Sequence, residues 1–425
     1  MEEGFGLFWT GPVAGSNEVL AKIPEACLIN VSNVRKYALE EEVFSKLLSA
    51  LEGVYARELN ERETLMTFLI YEQFLRRFQE SSGEKDSPWK AYLDILPKKS
   101  TTPVFYTPQA RGWLEGTAVG EATEAKIKRL ELEYEKFLLI LAEDTPLSFE
   151  EFAWADNMYW SRVISFQSAL QSGDAGRAER DEDCHLVPFI DLCNHSLTPA
   201  AHWEITEHGI DLVQVGEQLD TDSEIHISYG EKPNNELLYL HGFIIPENPC
   251  VQYMIPLPLI PDELVRSKVG FLKALNISPQ LVLTPSDMLD DFTEDTWQLL
   301  CLCMVNEEDD FGEDEVGNFC YRNSPVTTLK EVAEAVATLP NFKIIQLRAI
   351  TVLYDILNAL IYTLRETKPS ADEEIPGELQ LIYEYVLTYR DEEASFLETF
   401  LEILGERQQE LIEDEQVQVY LALNQ

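Results

Sequence analysis

Residues 188–243 constrain the fold and function of this chain more than any other stretch, because polar side chains that can bind a ligand follow two predicted strands there. The apolar run 186–190 leads directly into Asp191-Leu-Cys-Asn194-His195-Ser196. Farther on, alternating apolar residues in 225–229 predict a strand that ends at Tyr229. An Asn-His pair after one strand and a tyrosine ending another predict a site for a small polar ligand between them.

Length and composition indicate a globular chain. With 425 residues, 45% of them hydrophobic, it is long enough for two domains or for one domain with a large insertion. The sequence contains no run of about 18 apolar residues, so we expect no transmembrane helix. The first residues carry Glu2 and Glu3 and no basic segment, so we expect no signal peptide.

The charge balance is strongly acidic, with 76 acidic against 32 basic residues and a formal net charge of −44. Such a field repels phosphate backbones, which argues against direct nucleic-acid binding. It steers basic partners toward the protein, and a lysine-rich protein segment is one such partner. The alternative is that the charge serves solubility alone.

Seven cysteines are scattered through the chain without the spacing of a disulfide framework. This pattern predicts reduced thiols and a cytoplasmic or nuclear location. The only close pair, Cys301-Leu-Cys303, has no second pair at zinc-binding spacing, so we predict a buried helix there and no metal site.

The spacing of the hydrophobic residues changes along the chain, from a strand pattern to a helical one. Residues 17–24 and 26–31 read as short strands, and 211–215 as a later one. Helical spacing then predicts a series of helices, with an acidic loop at 307–315. The predicted helices cover 63–79, 122–142, 149–168, 264–274, 294–305, 329–339, a long segment around 350–360, 378–390 and 394–404.

Several motifs together resemble one family. Asp191-Leu-Cys-Asn-His-Ser196, Ser228-Tyr-Gly230, Asn234-Asn-Glu-Leu-Leu238 and Gly242-Phe243, in this order and spacing, resemble the C-terminal half of SET-domain methyltransferases. Glu3-Gly-Phe-Gly-Leu7 resembles the opening of that domain. The wider chain resembles the Rubisco large-subunit methyltransferase-like branch, which includes ribosomal-protein lysine methyltransferases and an actin-histidine methyltransferase. The resemblance is strong in 188–243, moderate before it and weak after it.

This resemblance implies an α+β fold. A SET-domain β-fold would occupy residues 1–245, with a helical insertion at about 46–180, and an all-α substrate-binding domain would occupy 246–425. Relatives usually carry a short segment before the first motif, so the N-terminus of this chain is expected to be truncated. A monomer is expected.

The resemblance also implies S-adenosyl-L-methionine as cofactor and assigns roles to individual residues. Tyr229 would be the catalytic hydroxyl nearest the transferring methyl group, and Asp191 would support the turn that carries Asn194 and His195. The residues expected to bind the cofactor are Glu3, Gly4, Phe5, Ser161, Arg162, Asp191, Asn194, His195, Tyr229 and Phe243.

One departure concerns the acceptor. Many relatives have tyrosine where this chain has His241, a position expected to line the substrate channel. The predicted activity is protein-lysine N-methylation of a basic, non-histone protein, with ribosomal proteins as the leading class. The alternatives are protein-histidine N-methylation and a non-catalytic SET-like protein that binds a partner.

Two hydrolase classes fit the sequence less well. A metal hydrolase would have to use Cys184, His185, Cys193, His195 and His202, whose spacing matches no known ligand pattern. A serine hydrolase would need a G-x-S-x-G turn, which the sequence does not contain.

Overall fold

The computed structural model describes residues 6–76, 87–142, 145–166, 183–216, 218–289, 292–370 and 373–423. The chain divides into two compact units, each assembled from separate segments. The first unit comprises 1–107, 122–232 and 236–243, and the second comprises 108–121, 233–235 and 244–425. The predicted domain limits, and a substrate-binding role for the C-terminal part, stay predictions.

The described strands are short and form several small sheets. They are β1 Leu7–Phe8, β2 Ala14–Gly15, β3 Val19–Pro24, β4 Val163–Phe166, β5 Asp183–Leu186, β6 Asn194–His195, β7 Ala201–Thr206, β8 Gly209–Gln214, β9 Gln218–Leu219, β10 Glu224–Ile227, β11 Tyr253–Pro256, β12 Gln280–Leu283, β13 Phe311–Glu313, β14 Phe319–Tyr321 and β15 Ser324–Pro325.

Helices make up most of the remaining described structure. They are α1 Val31–Glu40, α2 Glu42–Tyr55, α3 Glu61–Ile70, α4 Lys90–Ile95, α5 Pro108–Gly112, α6 Ala118–Leu138, α7 Phe149–Arg162, α8 Asn234–Glu236, α9 Val265–Ala274, α10 Ser286–Leu289, α11 Glu294–Met304, α12 Leu329–Ala337, α13 Phe342–Glu366, α14 Gln380–Glu413 and α15 Glu415–Leu423.

In the first unit, the sheets have the strand orders β1-β10-β6, β3-β8-β7, β2-β9 and β4-β5. The strands predicted at 17–24 and 211–215 are confirmed as β3 and β8. The strand predicted at 26–31 is wrong, because Glu25–Cys27 forms a 3-10 turn after Pro24. Asn30 then caps α1 by accepting the amide N–H of Asn33.

A helical layer of the first unit packs on its own apolar core. Within the predicted helix 63–79, Phe68, Tyr71 and Leu75 are buried, and residues 77–79 lie outside the described part. Ser148 begins α7 with a capping box to Glu151. The helix ends at Arg162 rather than at the predicted 168, because the β-branched Val163 and Ile164 enter β4.

A buried charge network fixes α7. The carboxylate of Asp156 is fully buried and pairs with Lys126 at 2.8 Å and Arg62 at 2.6 Å. Burial alone would raise the pKa of Asp156, but the two cations hold it below its ordinary value. Removing one partner would leave an unpaired buried charge, so this network keeps α7 in a single position.

The second unit is mainly helical, and its core lies between α11, α12, α13 and α14. The fold class is confirmed, but the expectation of an all-α C-terminal part needs correction, because β11 to β15 form two small sheets there. One of these sheets uses part of the predicted acidic loop, since Phe311 is buried and starts β13. The two helices predicted on either side of 391–393 are one continuous helix, α14.

Among the described helices, α13 alone is long and apolar enough to cross a membrane by length and composition. Most of its buried residues belong to the core of the second unit. Those in the core are Ile345, Ala349, Ile350, Leu353, Leu357, Ile361 and Leu364.

Gly209→Ala should destabilise the first unit. Gly209 starts β8 with φ +140°, and an added Cβ would lie 2.0 Å from the carbonyl oxygen of Ile23 and 2.7 Å from the amide nitrogen of Glu25. We expect the free energy of unfolding to fall by about 1–3 kcal/mol. The matched control is Gly53→Ala on exposed α2, where an added Cβ meets nothing within 4 Å. It should raise stability by roughly 0.5–1 kcal/mol. Denaturant unfolding measures both, and equal effects would contradict the backbone argument.

Candidate active site

A three-stranded sheet brings three distant segments of the sequence together. β10 pairs with β6 in parallel, so His226 faces Asn194 and Ile227 faces His195. On its other edge β10 pairs antiparallel with β1, where Leu7 faces Ile225. Ile225 and Ile227 are buried, which confirms the predicted alternation, but the strand ends at Ile227 rather than at the predicted Tyr229. The start of the chain, the Asn-His pair and the strand before Tyr229 therefore meet at one place.

Gly6 lies directly against this meeting point. A Cβ there would lie 2.4 Å from Oε1 of Glu224 and 3.2 Å from Nδ2 of Asn194. Asn194 Nδ2 donates a hydrogen bond to the same Glu224 oxygen at 2.6 Å. Only glycine allows the backbone to approach this polar pair so closely.

Asp191 anchors the turn that precedes the Asn-His pair. Its carboxylate is fully buried and accepts hydrogen bonds on Oδ2 from Tyr92 Oη at 2.5 Å and from Arg162 Nη1 at 3.4 Å. The same Nη1 donates to the Asp191 carbonyl oxygen at 2.8 Å. Burial raises the pKa of Asp191, while Arg162 and Tyr92 oppose that rise. The turn before the Asn-His pair is thereby held to the ends of α4 and α7.

Tyr229 is held at both ends. Its amide N–H donates to Nδ1 of His195 at 3.0 Å, and its hydroxyl donates to the carbonyl oxygen of Cys193 at 2.8 Å. Burial lowers the pKa of His195, which keeps this imidazole neutral and able to accept. Burial also raises the pKa of Tyr229 to about 12. Tyr229 is therefore protonated at neutral pH and acts as a hydrogen-bond donor, not as a base.

Four rings form a cluster around this hydroxyl. The Tyr229 ring centroid lies 4.9 Å from that of His241 and 5.1 Å from that of His195. Phe243 closes the group at 6.1 Å from His241 and 6.3 Å from His195. Burial, aided by the cations Lys232 and Arg162 and by His195, lowers the pKa of His241 to about 4. His241 therefore presents a neutral imidazole beside Tyr229.

The turn that carries His241 depends on Gly242. A π-helical turn, Leu237–His241, ends at Gly242 with φ +78°. A Cβ at Gly242 would lie 2.5 Å from Oγ1 of Thr101. The close approach to Thr101 thus fixes the direction in which His241 and Phe243 project.

The structure brings together most of the residues that the sequence predicts for the site. The residues that converge are Arg162, Asp191, His195, Tyr229, His241 and Phe243. Ser161 instead donates its hydroxyl proton to the carbonyl oxygen of Asn157 within α7. Glu3, Gly4 and Phe5 lie outside the described residues. The functional roles of all these residues stay predictions.

Sequence reasoning missed three contributors: Tyr92, Glu224 and the carbonyl group of Cys193. Tyr92 lies in the segment Trp89-Lys-Ala-Tyr92-Leu93, and its burial beside Asp191 is a tertiary contact that spacing does not show. Glu224 has a signal in the sequence, because strand alternation places it on the face opposite Ile225.

The metal-hydrolase alternative has no geometric support. Within the described ranges, no group of three or more His, Cys, Asp or Glu side chains is arranged to hold a metal ion. His185, one of its five candidate residues, contacts Asn30 Nδ2 through Nδ1 at 3.1 Å and the Phe166 carbonyl oxygen through Nε2 at 3.3 Å. It also stacks on the Phe166 ring, so it is a core residue.

Comparisons with known proteins agree on one class. No protein-family model matches the chain. SET domain-containing protein 4 of Mus musculus is 30% identical over 262 residues, 59% of this chain and 53% of that protein. Ribosomal lysine N-methyltransferase set10 of Schizosaccharomyces pombe is 26% identical over 207 residues, 48% of this chain and 35% of that protein. Actin-histidine N-methyltransferase of Rhinolophus ferrumequinum is 23% identical over 327 residues, 72% of this chain and 49% of that protein.

Solved structures match over nearly the whole chain. The SET domain of LSMT bound to lysine and AdoHcy superposes with a TM-score of 0.69 at 17% identity, covering 98% of this chain and 88% of that one. Rubisco LSMT bound to AdoMet gives 0.68 at 17% identity, covering 97% and 87%. The chain therefore has the SET-domain fold of the Rubisco large-subunit methyltransferase structures, and the resemblance predicted from the motifs is confirmed. The chain spans about a third to a half of the length of the relatives named above.

Proposed function

We propose that this protein is an S-adenosylmethionine-dependent protein-lysine N-methyltransferase. The observation that carries the proposal is the protonated Tyr229 hydroxyl, which is fixed by its hydrogen bond to the Cys193 carbonyl oxygen. The backbone amide of Tyr229 is held by His195, and its ring lies beside the neutral His241. The SET-domain fold supports it, as do relatives named for lysine methylation of ribosomal protein and of fructose-bisphosphate aldolase.

The described residues fit a cofactor of this kind at the β1-β10-β6 sheet. Gly6 brings its backbone close to the polar side chains of Asn194 and Glu224, and Arg162 binds the carbonyl oxygen of Asp191 just before the Asn-His pair. We assign cofactor contacts to Asn194, His195, Arg162, Ser161 and Phe243, supported by Asp191, and to the backbone of 3–5. The cofactor would supply a methyl group on a sulfonium, which is a good leaving group.

The residues of this chain then have to align the acceptor and exclude water. A free lysine has a pKa of about 10.4, so its ammonium must first lose a proton to water or to a base in solution. Only the neutral amine, whose lone pair is free, can accept the methyl group that the cofactor would supply. Partial burial in the ring cluster and the nearby cations Lys232 and Arg162 disfavour the ammonium, so the neutral amine is favoured. The Tyr229 hydroxyl orients that amine and stabilises the polarised methyl group.

The proposed substrate is a basic protein, and ribosomal proteins are the leading class. The net charge of −44 supports a basic partner through electrostatic attraction. The neighbours named for lysine methylation support the acceptor type. A cytoplasmic or nuclear location, a monomeric state and the absence of nucleic-acid and membrane partners belong to the same proposal.

A histidine acceptor is the second candidate, and His241 is the observation that favours it. The imidazole stands where many relatives have tyrosine, and it is neutral beside Tyr229. Two relatives are named actin-histidine N-methyltransferases. We favour lysine because more of the relatives are named for it.

Mass spectrometry of a cell lysate tests the proposal. The lysate is incubated with this protein and with adenosylmethionine that carries a deuterated methyl group. We expect deuterated methyl groups on lysines of basic proteins, and about a hundredfold less label with Tyr229→Phe at matched concentration. Label on histidine alone would establish the second candidate. No label, despite calorimetric binding of adenosylmethionine, would make the protein a non-catalytic binder.

A further inference from the structure

The second unit contains a cavity of about 660 Å³, within the usual size of a small-ligand site. The start of α8, the segment 247–253 and α14 form most of its wall. Part of the wall is aromatic and apolar, with Tyr253, Met288 and Phe396. The charged side chains of the wall are all acidic among the described residues, and they are Glu247, Asp391, Glu392 and Glu393.

Glu393 gives this cavity a buried and incompletely bonded carboxylate. The residue is only 4% exposed, and its Oε1 accepts the amide N–H of Ala118 at 3.1 Å. Its Oε2 makes no hydrogen bond of normal geometry within the described part of the chain, although the buried hydroxyls of Tyr389 and Tyr253 lie close enough to lower the pKa of the carboxyl group. A buried acceptor and a buried hydroxyl that both line one cavity are suited to an incoming donor.

The surroundings of Glu393 favour an added positive charge. Burial raises the pKa of this carboxyl group, and the nearby Tyr389 and Tyr253 hydroxyls offset only part of the rise. These hydroxyls lie close to the carboxylate without making a hydrogen bond of normal geometry to Oε2. Because the charged form is poorly stabilised, a bound cation would stabilise it.

Two neighbouring cations, Arg390 and Lys368, offset only part of this acidic charge. Arg390 donates to the carbonyl oxygens of Trp113, Glu115 and Leu364. Lys368 pairs with Asp391 at 3.0 Å on an exposed part of α14. Glu392 accepts a hydrogen bond from a neutral donor, Nδ2 of Asn234, at 2.7 Å. The cavity wall therefore keeps its acidic excess.

We propose that this cavity binds a lysine or arginine side chain from a basic protein segment, at a site that takes no part in methyl transfer. The inference rests on the proposed function, which requires a basic protein as substrate. The side-chain nitrogen would donate to Glu393 Oε2, and the aliphatic stem would pack on Phe396 and Met288. The faces of Tyr253 and Tyr389 add a cation–π contribution.

The experiment uses a fluorescein-labelled peptide of Lys-Gly-Ser repeats, titrated with the full chain by fluorescence anisotropy without cofactor. The pocket variant is Glu392→Gln with Glu393→Gln, which keeps side-chain shape and removes two charges. The matched control is Glu308→Gln with Glu315→Gln, two exposed glutamates outside the cavity. We expect the pocket variant to weaken binding on the order of tenfold and the control to change it little. The acetyl-lysine version of the peptide should bind as weakly to the native chain.

Equal weakening by both double variants would overturn the proposal, because the peptide would then be responding to overall charge. Thermal unfolding checks that the pocket variant folds. If it does not, Glu247→Gln with Asp391→Asn, both exposed at the cavity, replaces it under the same criterion.

The experiment distinguishes a failure of the cavity proposal from a failure of the proposed enzyme activity. Pocket-dependent peptide binding without methyl transfer to any lysate protein would reject the enzyme and leave the cavity proposal standing. Methyl transfer, together with peptide binding that the pocket variant does not weaken, would reject only the cavity proposal. Tyr229→Phe should bind the peptide as the native chain does.

Discussion

Tyr229→Phe should lower the turnover number for methyl transfer by about a hundredfold, the scale seen when one preorganised donor is removed from a polar reaction site. The substitution removes a single oxygen, whose proton is bonded to the Cys193 carbonyl group at 2.8 Å. The backbone hydrogen bond from Tyr229 to His195 is unaffected. The ring therefore stays in place, and the loss falls on acceptor alignment.

Two measurements isolate this effect. Cofactor affinity, measured by calorimetry, should change little while single-turnover methyl transfer falls. The control is Tyr159→Phe, which removes another buried hydroxyl of the first unit outside the ring cluster. Undiminished transfer by Tyr229→Phe would show that the tyrosine is structural. An equal loss in both variants would place the cause in folding.

Local pattern was sufficient for the strands and turns that build the candidate site. Alternation placed Ile225 and Ile227 on the core face of one strand. The proximity of Asn194 to the strand that leads to Tyr229 was instead implied by the family resemblance, and the parallel pairing of β6 with β10 accounts for it.

Features that depend on distant contacts were not predictable in this way. The hydrogen bond from Tyr92 to Asp191 joins residues that are 99 positions apart. The sequence predicted two helices that end on either side of the acidic run 391–393. In the structure α14 continues through this run, and Glu393 is buried. Its carboxylate accepts a hydrogen bond from the amide of Ala118, a contact that no local rule contains.

Acid should destabilise the first unit through His241. Burial sets its folded pKa at about 4, against an ordinary value of 6.5. Between these values the unfolded chain binds a proton that the folded chain excludes, so the free energy of unfolding rises with pH there. Lowering the pH from above 6.5 to below 4 should therefore remove about 3 kcal/mol through this residue. Urea unfolding at pH 7 and at acid pH measures the loss.

The variant His241→Phe separates this contribution from other acid-sensitive groups. Phenylalanine fills a similar volume and has no proton to gain, so the loss of stability between pH 7 and pH 4 should be smaller by about 3 kcal/mol. His208→Gln is the matched control, because the His208 side chain is 85% exposed and should leave the pH profile unchanged. The buried His185 and His195, whose pKa values are also lowered, keep their share of the acid sensitivity in both variants. Identical pH profiles for native protein and His241→Phe would mean that the imidazole of His241 is hydrated in the folded state. That result would contradict both the neutral state of His241 beside Tyr229 and the acceptor-site chemistry argued from it.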